Sequence, residues 1–183
     1  MENDLIKPKL LLHTCCATCS GFLAENLKDE FRVTIFYDNS NIFPLAEYQK
    51  RRDEAEKFFK EEGLFFVESE YDHLKWLELV KGMENEKEKG RRCLVCYRSR
   101  LENTANYAIQ NGYNFFSTTL TISPHKSAKD IIEIGERLSE ERGVGFLAKD
   151  WKKNDGFKKA MEFSCNHIFY RQNYCGCEFS IRS

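Results

Sequence analysis

The sequence lacks the segments that would place it in a membrane or send it across one. No run approaches the roughly 18 apolar residues of a membrane span. Met1 to Lys9 is polar and charged, so no secretory h-region precedes the first apolar stretch. A dominant charge is missing too: the net charge is −1 over 183 residues, and no global basic field advertises nucleic acid. There are no internal repeats and no long linkers, and only Asn85 to Lys89 looks loose. A glycine-rich phosphate cradle is also absent. The stretch His13-Thr14-Cys15-Cys16-Ala17-Thr18-Cys19-Ser20 carries neither a GKS/T motif nor the Ser-Gly-Gly-x-Asp-Ser loop of ATP pyrophosphatases, which disfavours nucleotide hydrolysis.

These absences leave one globular domain over residues 1–183. Hydrophobic residues make up 42% and charged residues 31%, enough to bury a core without disulfide staples. The expected compartment is the cytoplasm, with no membrane partner. Thiols stay reduced there, and clustered cysteines read as metal-binding or catalytic. A secreted disulfide scaffold fits poorly, being normally smaller and denser in cysteine. Local basic runs occur at Arg51-Arg52, at Arg91-Arg92 with Arg98 and Arg100, at Lys126 with Lys129, at Lys152-Lys153 and at Lys158-Lys159. Most such runs are solvated faces. The Arg91 to Arg100 group is better placed, because it brackets a cysteine pair where a phosphate backbone could approach.

Short apolar runs alternate with longer amphipathic stretches. Residues 9–12, 33–37, 64–67, 115–119 and 144–147 read as buried strands. Residues 16–27, 45–62, 89–110 and 127–142 read as helices. In the last, Ile131, Ile134, Gly135 and Leu138 follow one buried face, with Ser127 as N-cap. Along 89–110, Leu94, Tyr97, Leu101, Ala105 and Ala108 mark the buried side. This alternation predicts an α/β fold: three layers, a mostly parallel sheet with helices on both faces, Rossmann-like and similar to the adenine nucleotide alpha hydrolase-like fold. Ligands then sit beyond the carboxyl ends of the strands. Cys15 follows the first strand and Asp38 the second, so both loops should open onto one rim.

Against this background, eight cysteines stand out, seven of them in three clusters: Cys15-Cys16-x-x-Cys19, Cys93-x-x-Cys96 and Cys175-x-Cys177. Crowded thiolates repel and oxidise, and three clusters suggest one centre assembled by the fold. On a helix, Cys93 and Cys96 share one face. By itself the pair is compatible with zinc, an iron–sulfur site or a redox dithiol. The first cluster sits where a strand turns into a helix, and backbone N–H groups there lower a thiol pKa. Two ligands from that turn and two from the Cys93 helix would suit tetrahedral zinc or a cubane. A Cys175–Cys177 disulfide would be strained and labile, which favours a redox-active dithiol over a structural bridge. Cys165 belongs to no cluster and reads as a small buried residue. Of His13, His125 and His167, only His13 lies beside a cluster.

The motifs His13 to Cys19, Asn41-Ile42-x-Pro44-x-x-Glu47-Tyr48-x-x-Arg51, Arg92-Cys93-x-x-Cys96-Tyr97-x-x-Arg100-Leu101, Ser117-Thr118-Thr119-Leu120-x-x-Ser123-Pro124 and Tyr170-Arg171-Gln172-Asn173-Tyr174-Cys175-Gly176-Cys177 resemble the QueH family of epoxyqueuosine reductases, in the same order along nearly the whole chain. One departure is Asp38-Asn39-Ser40-Asn41, where the family more often has Asn-Pro-Asn. The resemblance implies reduction of epoxyqueuosine to queuosine at the wobble position of tRNA, without cobalamin. It implies a [4Fe–4S] cluster on Cys15, Cys16, Cys93 and Cys96, a redox pair of Cys175 and Cys177, and an additional mononuclear iron, for which Cys19 and Asp38 are the expected liners. The partners implied are tRNA bearing epoxyqueuosine and an electron donor that the sequence does not identify. Tyr97, Tyr174 and His13 are candidate proton donors, and Tyr48, Tyr170 and Phe169 candidate stacking platforms for a splayed base. Two other readings stand beside it: a zinc-stabilised tRNA-binding module without catalysis, and a tRNA thiolation enzyme with a labile cluster, which would need ATP.

Overall fold

The computed structural model describes residues 7–181. Its centre is the run Leu10-Leu11-Leu12, fully buried in the first strand, β1 (Lys9–His13). A strand buried on both faces reads as continuous apolar sequence, and it belongs in the middle of a parallel sheet. β1 pairs in parallel with β2 (Arg32–Tyr37) on one side and β4 (Phe115–Thr118) on the other. β3 (Phe65–Glu68) and β5 (Gly145–Phe146) complete the order β3-β2-β1-β4-β5, parallel throughout.

Because successive side chains point to opposite faces, β1 builds two cores. Leu10 and Leu12 join Val33, Ile35 and residues of α1 (Ala17–Leu27), α2 (Leu45–Glu61) and α6 (Gly156–Asn166). Leu11 faces the other way, with Phe36, Phe116 and residues of α4 (Arg91–Gln110) and α5 (Ala128–Arg142). The three-layer α/β expectation holds. None of the helices among the described residues is long and apolar enough to cross a membrane.

The expected strands and helices lie within about two residues of those observed. Ser127 accepts from the Asp130 N–H as the N-cap of α5. Leu94 departs from expectation: one turn into α4, it stays 37% exposed. Two helices lie outside the expected set. α3 (His73–Leu79) spans two turns, too few for a periodicity. α6 does carry a signal: Phe157, Ala160, Met161 and Ser164 recur at helical spacing, and its buried positions Gly156, Ala160 and Ser164 are small residues that let it lie close on α1.

Gly135 shows how tight the second layer is. A Cβ there would come within 2.3 Å of the Phe146 ring. A Gly135→Ala protein is therefore expected to lose about 1–3 kcal/mol through overpacking, read as a lower urea midpoint, despite alanine's better helix propensity. An unchanged or raised midpoint would mean that β5 yields freely.

Candidate active site

In the order β3-β2-β1-β4-β5 the chain moves outward one way from β1 and then returns to its other side, which puts a topological switch point between β1 and β4. The segments leaving these strands, Thr14 to Cys16 and Thr119 to Leu120, diverge there. Cys16 is the N-cap of α1, in extended conformation, and Ala17 is already helical. That turn solves the problem posed by adjacent cysteines, whose side chains would diverge on a regular element. The Cys15 and Cys16 sulfurs lie 3.9 Å apart, and those of Cys15, Cys16 and Cys19 all fall within 4.8 Å of one another.

The other clusters arrive from the middle and from the C-terminal part of the chain. Lys89 has a positive φ and Gly90 caps α4, so Cys93 and Cys96 sit in its first turns. Cys93 accepts from the Lys89 N–H at 3.3 Å, while Cys96 is buried with Trp76, Val80 and Cys177. The segment from Tyr170 to Cys177 lies across the gap, pinned by Thr18 Oγ1 to the Tyr170 carbonyl (2.9 Å), Arg51 Nη1 to the Cys175 carbonyl (3.3 Å) and Phe43 N–H to the Gly176 carbonyl (2.9 Å). Gly176 has φ +126°, and a Cβ would press Ile42 at 3.0 Å and Arg51 at 3.2 Å, so only glycine seats this crossing. Cys175 and Cys177 are free thiols, the first half-buried and the second buried.

Together these elements enclose a cavity of about 280 Å³ into which Cys15, Cys19, Cys93 and Cys175 all open. One cavity thus gathers cysteines from all three clusters, between a sheet rim and a C-terminal strap. The family model described as epoxyqueuosine reductase QueH matches residues 10–183. The chain belongs to the QueH family of epoxyqueuosine reductases.

Curated relatives agree across nearly the whole chain. It is 42% identical over 176 residues to the epoxyqueuosine reductase QueH of Acinetobacter baylyi, covering 95% of this chain and 81% of that protein. The Streptococcus pyogenes QueH is 35% identical over 187 residues, covering 99% and 73%. The Thermotoga maritima QueH is 36% identical over 175 residues, covering 94% and 90%.

In this QueH chain the clustered thiols share charge unequally. Hydrogen bonds with Cys16 and Cys19 hold the Cys15 thiol well below the usual range, with Arg100 and Lys126 helping against burial. The same bond pushes Cys16 up to about 12, and Cys15 and Cys16 raise Cys19. Burial pushes Cys96 up to about 12. Two cations serve the site. Arg100 is buried, donating from Nε to His13 Nε2 (3.2 Å) and the Asp38 carbonyl (3.3 Å) and from Nη2 to Asn39 Oδ1. Lys126 lines the cavity. Burial opposes its charge, but Cys175 and Cys15 outweigh that and raise its pKa.

Several expected site residues are placed elsewhere. Asp38 follows Phe36 by two positions and so points to the α4 face. Its carboxylate accepts from Ser69 Oγ (2.6 Å) and Asn103 Nδ2 (3.0 Å) beside a different cavity, and the structure does not bring it to Cys19. His13 is fully buried and does not line the cavity. His13 Nε2 lies 3.1 Å from the Asp38 carbonyl and 3.2 Å from Arg100 Nε, and Nδ1 pairs at 2.9 Å with Thr118 Oγ1, its partner in strand register. Burial and Arg100 lower its pKa to about 3, so it is neutral, a structural link rather than a ligand or acid.

Arg92 is buried too, bonding the carbonyls of Met83 and Glu84, so neither it nor Arg100 can meet a phosphate. Arg91 and Arg98 are exposed but pair with Glu86 and Glu141. Tyr48 is buried and donates to Glu68, Phe169 packs on Phe58 in the core, and the Tyr170 ring is covered by Lys50 Nζ at 3.3 Å; none is an open stacking platform. Cys165 is exposed on α6, contrary to its reading as a buried residue.

The residues missed are Lys126, indistinguishable in sequence from a solvated basic run, and Trp76 on the unforeseen α3. Trp76 Nε1, beside Cys96, and Thr119 Oγ1, in the cavity wall, are buried without a nitrogen or oxygen partner. Such donors suit sulfur acceptors.

Proposed function

We propose that this chain reduces epoxyqueuosine to queuosine at the wobble position of tRNA, acting in the cytoplasm as one iron–sulfur reductase domain over residues 1–183. The observation that carries this reading is the single cavity at the switch point shared by Cys15, Cys19, Cys93 and Cys175 in a QueH chain.

The donor set fits a [4Fe–4S] cluster. Cys15, Cys16, Cys93 and Cys96 would hold it, with Cys19 left for an additional iron without Asp38. A cluster on four thiolates is anionic, and Arg100 and Lys126 supply positive charge beside Cys15, Cys96 and Cys175. Unpartnered Trp76 Nε1 and Thr119 Oγ1, and Gln172 Nε2 at 3.5 Å from Cys16 Sγ, are the kind of donors that tune such a centre. When bound, the cluster supplies one-electron transfer at the cavity wall.

The remaining chemistry belongs to the side chains. The reaction removes the epoxide oxygen as water and leaves an alkene, taking up two electrons and two protons. Cys175 and Cys177 match that count: closing their dithiol to a disulfide releases two electrons and two protons, and an external electron donor then restores the thiols. Lys126 holds positive charge where the opening ring puts negative charge on oxygen. Acids facing the cavity include the Lys126 ammonium, the Tyr97 hydroxyl and the His125 imidazole. Tyr174 is less suited, since its hydroxyl already donates to the Phe43 carbonyl at 2.6 Å.

A second reading draws on one distance set. Thiolates sharing a tetrahedral ion stand about 3.8 Å apart, close to the 3.9 Å between Cys15 and Cys16; this favours a single-ion site such as zinc. Anaerobic purification with metal and sulfide analysis separates the two. Brown protein with about four sulfides and at least four irons, converting epoxyqueuosine tRNA with dithionite, is the expected result. Colourless zinc protein that stays so after iron–sulfur reconstitution would overturn the reductase reading.

A further inference from the structure

The cations around the cavity are distributed unevenly. Elsewhere on the surface several are paired, Lys28 with Glu62, Lys60 with Glu56, Arg98 with Glu141, Arg137 with Glu133 and Arg142 with Glu102, while others, Arg32, Lys57 and Lys129 among them, have no carboxylate partner among the described residues. Along one side of the cavity mouth unpaired cations meet at one opening, whose lining carboxylate is Glu88. Lys126 and Arg171 line the opening, with exposed His125 between Pro124 and Lys126. Lys152 Nζ donates to the Lys126 carbonyl at 3.1 Å, which ties the turn before α6 to the same rim and brings exposed Lys153 with it. On α6, Phe157 and Met161 face the cavity, and exposed Lys158 follows Phe157, turned about 100° around the helix from it so that it flanks this face. Among the described residues, Lys126, Lys153, Lys158 and Arg171 have no carboxylate partner, and Lys152 has only Asp150, at 3.9 Å.

Uncompensated like charges repel, and a chain of net charge −1 has carboxylates enough to pair them. Left unpaired around an opening, they form a local positive field that a polyanion would relieve. The cavity, about 280 Å³ in volume, has Phe157 and Met161 as apolar wall and Arg171 and His125 as planar groups in its lining. That combination, phosphate contacts around a pocket with stacking surfaces, is how single-stranded RNA loops are held with one base splayed out.

We infer that the rim formed by Lys126, Lys152, Lys153, Lys158 and Arg171 is the docking surface for the anticodon arm of the tRNA, the wobble base entering between Phe157 and Arg171. The inference rests on the reading of the substrate as tRNA. It assigns the footprint to the α6 side of the cavity, and it excludes the Arg91 to Arg100 helix face.

The test is fluorescence anisotropy of the full chain with an unmodified anticodon stem–loop RNA, over a series of salt concentrations. K153Q/K158Q replaces two exposed side chains. Binding is expected to weaken about tenfold near 0.1 M salt, and the slope of log K against log salt should shrink by about 1–2. The comparison protein is R32Q/K60Q, at the opposite end of the strands, which should bind and reduce as the wild type does. Unchanged affinity and slope in K153Q/K158Q, or an equal loss in R32Q/K60Q, would overturn the footprint, as would failure of the wild type to bind. Because this RNA carries no epoxide, binding is read independently of chemistry. Wild-type protein that binds through the rim yet never reduces epoxyqueuosine would sink the reductase reading alone.

Discussion

A Cys175→Ala protein is expected to carry the iron and sulfide of the wild type and to lose at least about 100-fold in kcat with epoxyqueuosine tRNA. The expectation follows from where the sulfur stands. Cys175 opens into the cavity, while Cys177, two residues on and across the Gly176 crossing, is buried beside Cys96. Removing either sulfur leaves Cys15, Cys16, Cys93 and Cys96 intact but destroys the dithiol, so the two-electron store goes while the proposed cluster ligands stay. Cys177→Ala should show the same loss of turnover with some loss of stability, since it vacates a packed site. Thiol counts taken after a single anaerobic turnover of the wild type, without added reductant, provide an independent readout: two thiols should be consumed per queuosine formed. Wild-type turnover in Cys175→Ala would remove the dithiol from the mechanism. Loss of iron together with activity would instead make Cys175 a metal ligand.

Arg100→Met is expected to destabilise the protein by about 3–5 kcal/mol, measured by urea denaturation under one fixed metal condition. Methionine approximates the length of the side chain but donates nothing. His13 Nε2, Asn39 Oδ1 and the Asp38 carbonyl would each be left buried with a lost donor, and each such orphan is costly. The positive charge facing Cys96 and Cys15 would vanish as well. Arg100→Lys should recover part of the loss. It restores the charge but not the planar fork that reaches separate acceptors on the β1 and β2 ends. An unchanged midpoint in Arg100→Met would mean that the guanidinium contributes charge to the site and nothing to the fold.

These two side chains also mark the limits of sequence reading. Cys175 was visible because Cys-Gly-Cys is chemically unusual wherever it falls. Arg100 was visible as a basic residue near cysteines, and the inference drawn from that, a phosphate contact, is wrong. Position on α4 turns it inward, where its neighbours are a histidine, an asparagine and a carbonyl. Asp38 went astray for a related reason. It does follow β2 at the expected rim, but the alternation of the strand aims its carboxylate at Ser69 and Asn103. Lys126 erred the other way, reading as an ordinary basic run until the loop before α5 carried it into the cavity wall.

What the sequence determined by itself is periodic or chemically rare. Alternating apolar strands and amphipathic helices specify a parallel three-layer fold, because each pattern can bury its apolar side in only one kind of layer. Seven clustered cysteines, with the motifs around them, specify the family. Only the tertiary structure decided which sulfurs share a cavity, that Arg100 and His13 form a sealed link behind it, and that unpaired cations gather on its α6 side. Those outcomes depend on the direction a side chain takes from its element and on which distant segments pack beside it. Long-range packing sets both, and no local pattern records either.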